Sequence, residues 1–343
     1  MNFMSETDFL LLMCHCEDRA KSGIDNNWYI LSTADRERLR EVGIQTAHEQ
    51  PAWARVEPAQ GQYDWGYLDN IVNRNRNAGL KSLVQLPGWR LPDWIPNEWR
   101  AQQKNGAYEV EVLSLWNEEA QTYSSDYIKV VMDHYKDQKD VGFFFGEFQG
   151  GEAPLPCSHC YFDHCALDNY KEIFGNDAVP DLSTEDTQDW FHTSIITHYI
   201  QKGEVFYLHN KEIWNCQQRL MDRWNIAFGN HVQPEIMRLY REIFTDASLV
   251  LLQYTYFDGS HTQDERDWVD NIIKISQCET IVEAMYCAGL PTTTPKAIEK
   301  GFRGQIVQPA HNVSNQFLDQ TEVDIIGNSY NLWKADYESR SNN

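Results

Sequence analysis

Hydrophobic and polar positions along this chain fall into a repeating order of short apolar runs and amphipathic helical stretches. Asp8 to His15, DFLLLMCH, reads as a buried first strand. Ser32-Thr33 caps a helix that continues through Arg36 to Val42 and stops at Gly43. Gly43 to His48 is a second strand, running into a long loop with Glu49, Gln50, Trp53 and Arg55. Tyr67 to Ala78 places Leu68, Ile71 and Val72 on one helical face and closes at Gly79. Leu80 to Leu86 is a third strand, followed by PGWRLPDW with Trp89 and Trp94. Glu118 to Tyr135 has Tyr127, Val130, Val131 and His134 at helical spacing, and Val141 to Phe145 is a fourth strand.

The second half is less regular. Helices are expected at Ala166 to Phe174, Trp190 to His209, Pro234 to Phe244, Asp264 to Ile275 and Pro295 to Gly301. Strands five to eight are expected at Glu212 to Gln217, Leu249 to Tyr256, Thr280 to Met285 and Gly304 to Gln308. Phe317 to Trp333 reads as a closing helix. A competing register makes Val323 to Ile326 the last strand, which would put Gln308 where Glu283 otherwise falls. Strands alternating with helices build βα units on a parallel sheet. Four units by about residue 150 imply eight in all, hence one α/β domain over residues 1–343, a (β/α)8 TIM barrel.

Composition narrows the chemistry. The 343 residues are 42% hydrophobic and 13% aromatic, enough for a large core, and the 12 Trp include a surplus suited to flat apolar sugar faces. A formal net charge of -22 argues against nucleic acid or an anionic membrane and favours a neutral substrate. No apolar run has the length of a membrane span, and the N-terminus lacks the basic segment of a signal peptide, so a cytoplasmic location is the expectation. The eight Cys are then reduced thiols or metal ligands. Nothing in the sequence reports the oligomeric state.

The stretch VGFFFGEFQGGE, Val141 to Glu152, has the form of a buried strand ending at glycine and carboxylate. In a parallel barrel the C-terminal strand ends are where chemistry sits. Apolar surroundings favour a protonated Glu147 after Phe143, Phe144 and Phe145. Glu283 lies inside Ile281-Val282-Glu283-Ala284-Met285, where a charge is costly unless it is paired or faces a polar cavity. A core strand with a solvated turn, and a structural ion pair, are the respective alternatives. Glu152 is the rival to Glu147 and reads better as a substrate contact. Trp53, Trp89, Trp94 and Tyr256 are candidate substrate walls. His48, Glu49, Arg55, Gln217, Tyr254, Gln308 and His311 are candidates for hydroxyl recognition. Cys157, His159, Cys160 and Cys165, with His164 among them, have the ligand density of a structural zinc site in an elaborated loop after strand four; buried free thiols are the other reading. No phosphate-binding glycine motif is present, so no cofactor is expected for catalysis.

Two segments resemble a known family. Trp53 to Trp94, with Glu57-Pro58, Gly61-Gln62-Tyr63-Asp64-Trp65, Leu68-Asp69, Gly79-Leu80 and Pro87-Gly88-Trp89, is similar to the second-to-third strand region of clan A glycoside hydrolases, above all family 42 β-galactosidases. Leu115-Trp116-Asn117, the helix, VGFFFGEF and CSHCYFDHCALDNYKEIFG follow that family's order of helix, strand, Cys-rich metal loop and helix. The resemblance implies a retaining glycosidase acting on carbohydrate, with Glu147 as acid/base at the end of strand four and Glu283 as nucleophile at the end of strand seven. Tyr254 or Tyr256 would hold that nucleophile. Gly146 stands where the clan usually has Asn, which favours a second reading: a catalytically reduced carbohydrate-binding protein on the same barrel.

Overall fold

The computed structural model describes residues 8–15, 31–86, 90–102, 106–114, 117–144, 163–165, 168, 250–254, 279–284, 289–299, 304–307, 309 and 318–342. Among these, seven parallel strands form a closed barrel in the order β1 (Leu10–His15), β2 (Thr46–Gln50), β3 (Lys81–Gln85), β6 (Val141–Phe144), β7 (Val250–Tyr254), β8 (Glu279–Ala284) and β9 (Gly304–Val307). β9 returns to pair with β1, Leu11 opposite Ile306. β6 meets β7 at Phe144 and Val250. The expected fifth strand, Glu212 to Gln217, lies outside the described residues, as do the expected helices between residues 166 and 275 apart from Asp168. The parallel α/β barrel is therefore present, with seven strands described.

Each described helix sits where local chemistry ends or begins it. α1 (Thr33–Glu41) starts with a capping box: Ser32 accepts from the Asp35 N–H, and the Asp35 carboxylate accepts from the Ser32 N–H. It ends before Gly43, whose φ of 118° suits glycine, and there the ring of Tyr330 packs against the backbone. One-turn α2 (Trp53–Val56) occupies what reads in sequence as open loop. α3 (Trp65–Asn77), capped by Asp64, buries Leu68, Ile71 and Val72 as its spacing requires. An antiparallel hairpin not expected from sequence, β4 (Arg100–Gln102) with β5 (Tyr108–Leu113), precedes α4 (Glu118–Tyr135). In α4 the buried face is Tyr127, Ile128, Val131 and Tyr135; Val130 is exposed, so the expected inward stripe is rotated.

α5 (Leu290–Glu299) begins five residues before the expected Pro295 start, with Pro295 inside it. Pro291 occupies the first turn, where a missing N–H costs nothing, and burial of Leu290, Thr294 and Ala297 outweighs the one bond Pro295 forgoes. α6 (Gln320–Ser341) is capped by Asp319 with a capping box to Glu322. Val323 and Ile326 are buried in it, so the competing register with a strand there is excluded.

Parallel partners in register point to the same side, which separates the two faces of the barrel. Leu10, Leu12, Ala47 and Val307 pack with Ile44, which precedes β2, and with Leu39, Ala297, Val323, Ile326 and Trp333 of the helical layer. Each large side chain buried there contributes about 1.5–3 kcal/mol. Gln305, on the same outer face, accepts from Thr294 Oγ1 at 2.6 Å and from the Trp333 indole at 3.2 Å, fastening α5 and α6 to β9. The intervening positions, Leu11, Thr46, His48 and Ile306 among them, belong to the inner face.

Candidate active site

Glu283 belongs by register to the inner face, one residue before β8 ends, beside Tyr254 of β7 and Ile306 of β9. Tyr254 is the last residue of β7 and shares that row. Phe144 ends β6 in register with Gln85, and Glu147 follows three residues later, outside the described residues. Trp89, Glu152, Gln217, Tyr256, Gln308 and His311 also lie outside them.

His48 is on the inner face of β2, paired with Met13 and Leu83, and is wholly buried. Burial pushes its pKa from 6.5 down to about 3, against the opposing effect of a hydrogen bond with Gln85, so the ring is neutral. Gln50 and Gln85 are buried polar neighbours at the same end of β2 and β3.

Four expected substrate contacts make contacts with other parts of the protein. Glu49, one residue from His48, takes the opposite face. Its Oε1 accepts from Arg36 Nη1 of α1 at 2.9 Å and from Asn75 Nδ2 of α3 at 2.8 Å, while Asn75 also reaches Ser82 at 2.9 Å and Arg36 Nη1. This buried network ties β2 and β3 to two helices and holds Glu49 away from the inner face. Arg55 is exposed, with its guanidinium 4.7 Å from the ring centroid of Tyr67 in α3. Trp53 is wholly buried: its ring stacks on Tyr127 at 4.3 Å and its indole N–H donates to Glu57 at 2.8 Å, which leaves no face for a sugar. Trp94 is half-buried, edge-on to Tyr123 at 5.1 Å, and donates to the Glu57 carbonyl at 3.0 Å.

Glu57 is the hub that the sequence reading passed over, although it carries the Glu-Pro of the family likeness. Its carboxylate accepts from the Trp53 indole, from the Gly61 N–H at 2.7 Å and from the Tyr123 hydroxyl at 2.7 Å. The loop after β2, the loop after β3 and α4 meet there. Burial raises the Tyr123 phenol well above its usual range, and the hydrogen bond and charge of Glu57 add to the effect. Burial, followed by the charges of Glu57 and Asp126, pushes Tyr63 up to about 12. Arg100 secures the β3 loop further by donating to the carbonyls of Ile95 at 3.2 Å and Pro92 at 2.7 Å.

Of the proposed metal ligands, Cys157, His159 and Cys160 lie outside the described residues. Cys165 is half-buried, with Sγ 3.3 Å from His164 Nε2 and 3.8 Å from Asn117 Nδ2. Burial, then the Asp163 charge, raises its thiol pKa. Asp163, buried, accepts from Ser114 Oγ at 2.6 Å and anchors this end of the loop at the start of α4. A thiol and an imidazole side by side fit a zinc ligand pair, but among the described residues no group of three or more donors is arranged for a metal. No helix of the described residues is long and apolar enough to cross a membrane.

Comparison with known proteins places this geometry. The family model for the family 42 glycoside hydrolases, described as beta-galactosidase, matches residues 28–172. Beta-galactosidase BgaA of Clostridium cellulovorans is 21% identical over 164 residues, covering 41% of this chain and 24% of that protein. The cold-adapted beta-galactosidase of Rahnella sp. R3 superimposes with a TM-score of 0.56 at 11% identity, over 98% of this chain and 58% of the other. The catalytic domain of beta-amylase from Paenibacillus polymyxa superimposes with a TM-score of 0.55 at 14% identity, over 95% of this chain and 98% of that one. The match spans only 9% to 24% of the length of the curated relatives. The chain has the fold of these beta-galactosidases, and its residues 28–172 resemble their family.

Proposed function

We propose that this chain is a retaining glycoside hydrolase acting on a carbohydrate in the cytoplasm, with Glu147 as acid/base and Glu283 as nucleophile. The observation that carries the reading is the register of β8, in which Glu283 holds an inner-face position near the C-terminal strand end beside Ile306. A carboxylate at that level is costly in a packed core and useful in a polar mouth. The match to the beta-galactosidase family model supports the same chemistry. In the retaining geometry the two carboxyls stand about 5–5.5 Å apart across the glycosidic bond. Glu283 would attack the anomeric carbon to form a glycosyl-enzyme, and Glu147 would protonate the departing oxygen and then deprotonate water. Tyr254, in register with Glu283 on the neighbouring strand, would orient the nucleophile in this reading. Catalysis needs no cofactor in this reading; a structural zinc on Cys157, His159, Cys160 and Cys165 would serve only to shape the loop after β6.

Gly146 favours the second reading, a carbohydrate-binding protein with reduced catalysis, because the Asn usual at that position is absent. Kinetics separate the two. Glu147→Ala should slow hydrolysis of poor leaving groups by orders of magnitude and activated aryl glycosides much less, with azide restoring turnover as a glycosyl azide. Glu283→Ala should abolish turnover of both. Binding of sugar by the wild type without hydrolysis of any aryl glycoside would decide for the binding protein.

A further inference from the structure

Arg90 stands in the loop that follows β3, at the C-terminal end of the barrel. The helix α2 begins next to it with an unmet need: its N-cap, Ala52, has no side-chain acceptor for the first-turn N–H groups. The Arg90 carbonyl supplies one, accepting from the Ala54 N–H at 3.0 Å. To aim that carbonyl, Arg90 takes a φ of 52°, and it is the one non-glycine residue with positive φ among the described residues. Gly43, Gly61, Gly79 and Gly106 take the other such positions. A glycine at position 90 would cap α2 equally well without a Cβ to strain. The backbone role therefore accounts for the conformation and not for the arginine.

The side chain is unusual in its company. The chain has 51 acidic residues against 29 basic ones. Arg36, Arg76 and Arg340 each meet a carboxylate, Arg55 covers a tyrosine ring and Arg100 donates to carbonyls. Arg90 is half-buried as a residue, and its guanidinium meets no carboxylate among the described residues. Its backbone is held in place by α2, so the fork of N–H donors starts from a fixed point at the barrel mouth.

We infer that Arg90 is a substrate-contact residue, its guanidinium donating to hydroxyl groups of a neutral sugar at the mouth; the inference rests on the glycosidase reading. A planar fork of donors suits adjacent sugar hydroxyls, and a strained residue kept at the rim of a barrel is the usual mark of a functional demand.

The test uses the full chain, Arg90→Gly and Arg90→Lys. Galactose, glucose, mannose, xylose and fucose are titrated by calorimetry, and their p-nitrophenyl β-glycosides assayed for hydrolysis. Arg90→Gly should melt at or above the wild-type temperature, because the strain is relieved, yet bind the preferred sugar about 10-fold more weakly, through loss of a charge-assisted hydrogen bond. Arg90→Lys should keep part of the affinity, with the change in KM rather than kcat. Unchanged affinity and KM in Arg90→Gly overturn the inference while hydrolysis by the wild type leaves the glycosidase reading standing. Sugar binding by the wild type that weakens in Arg90→Gly, without hydrolysis in either, supports the inference and defeats the enzyme. A wild type that neither binds nor hydrolyses any sugar of the panel overturns both.

Discussion

Glu49→Ala tests whether this carboxylate holds the barrel together or reads a substrate. The side chains of Arg36 and Glu49 are 2% and 4% exposed and lie 2.9 Å apart. Removing one partner of a buried pair leaves the other charged and dry, at a cost of about 3–5 kcal/mol. Arg36 would keep the Leu31 carbonyl, at 3.3 Å, and Asn75, which sets the expectation near the lower end of that range. With an unfolding entropy of about 2.1 cal/mol/K per residue, that loss lowers the melting temperature by about 4–6 °C. Replacing both members, Arg36→Met with Glu49→Leu, should return the protein to within about 1–2 kcal/mol of wild type, because the isolated charge is gone. Scanning calorimetry and urea unfolding of Arg36→Met, Glu49→Leu and the double variant give the coupling energy. The reasoning fails if Glu49→Ala melts within about 1 °C of wild type. It also fails if the double variant is no more stable than Glu49→Ala. A Glu49→Ala protein with wild-type stability and lost sugar affinity would return Glu49 to substrate recognition.

Two further outcomes are expected, one from the described geometry and one from the sequence. Burial lowers the His48 pKa from 6.5 to about 3, so between those values the unfolded chain binds a proton that the folded chain refuses. The folded state thus has the full benefit of neutral His48 above pH 6.5 and loses it as pH falls, by up to about 1.4 kcal/mol per pH unit. His48→Gln should flatten the pH dependence of unfolding free energy between about pH 4 and 6 by that slope, and an unchanged slope would refute the assignment. The donors at Cys157, His159, Cys160 and Cys165 should bring about one zinc per chain in elemental analysis of protein purified without chelator, lost in Cys165→Ser. Metal-free wild-type protein whose thiols resist modification until it unfolds would decide for buried cysteines.

The fold was legible wherever one physical rule set the pattern. Strands covered on both faces read as apolar runs, and β1 and β7 fall within the stretches expected for them, while β8 is shifted by one residue from its own. Helix limits followed from side chains acting on their own backbone, Ser32 at the start of α1 and Gly79 after α3. What a sequence does not carry is the parity of a strand end. His48 and Glu49 are neighbours of similar polarity, and a shift of one residue exchanges the inner face for the outer. The deciding fact is that Arg36 and Asn75, 13 and 26 residues away, converge on Glu49. The same holds for aromatic residues: Trp53 is committed to packing by Tyr127 and Glu57, partners on other elements, whereas its local context, a strand end in a tryptophan-rich chain, suits a substrate wall equally. Arg90 is the extreme case. Its left-handed backbone answers a deficiency at Ala52, 38 positions earlier in the chain, so no window around Arg90 contains the cause. Barrel sequences therefore state their layers plainly and their mouths poorly. The layers obey periodicity along one element, while each mouth residue is assigned by a partner from another strand or loop.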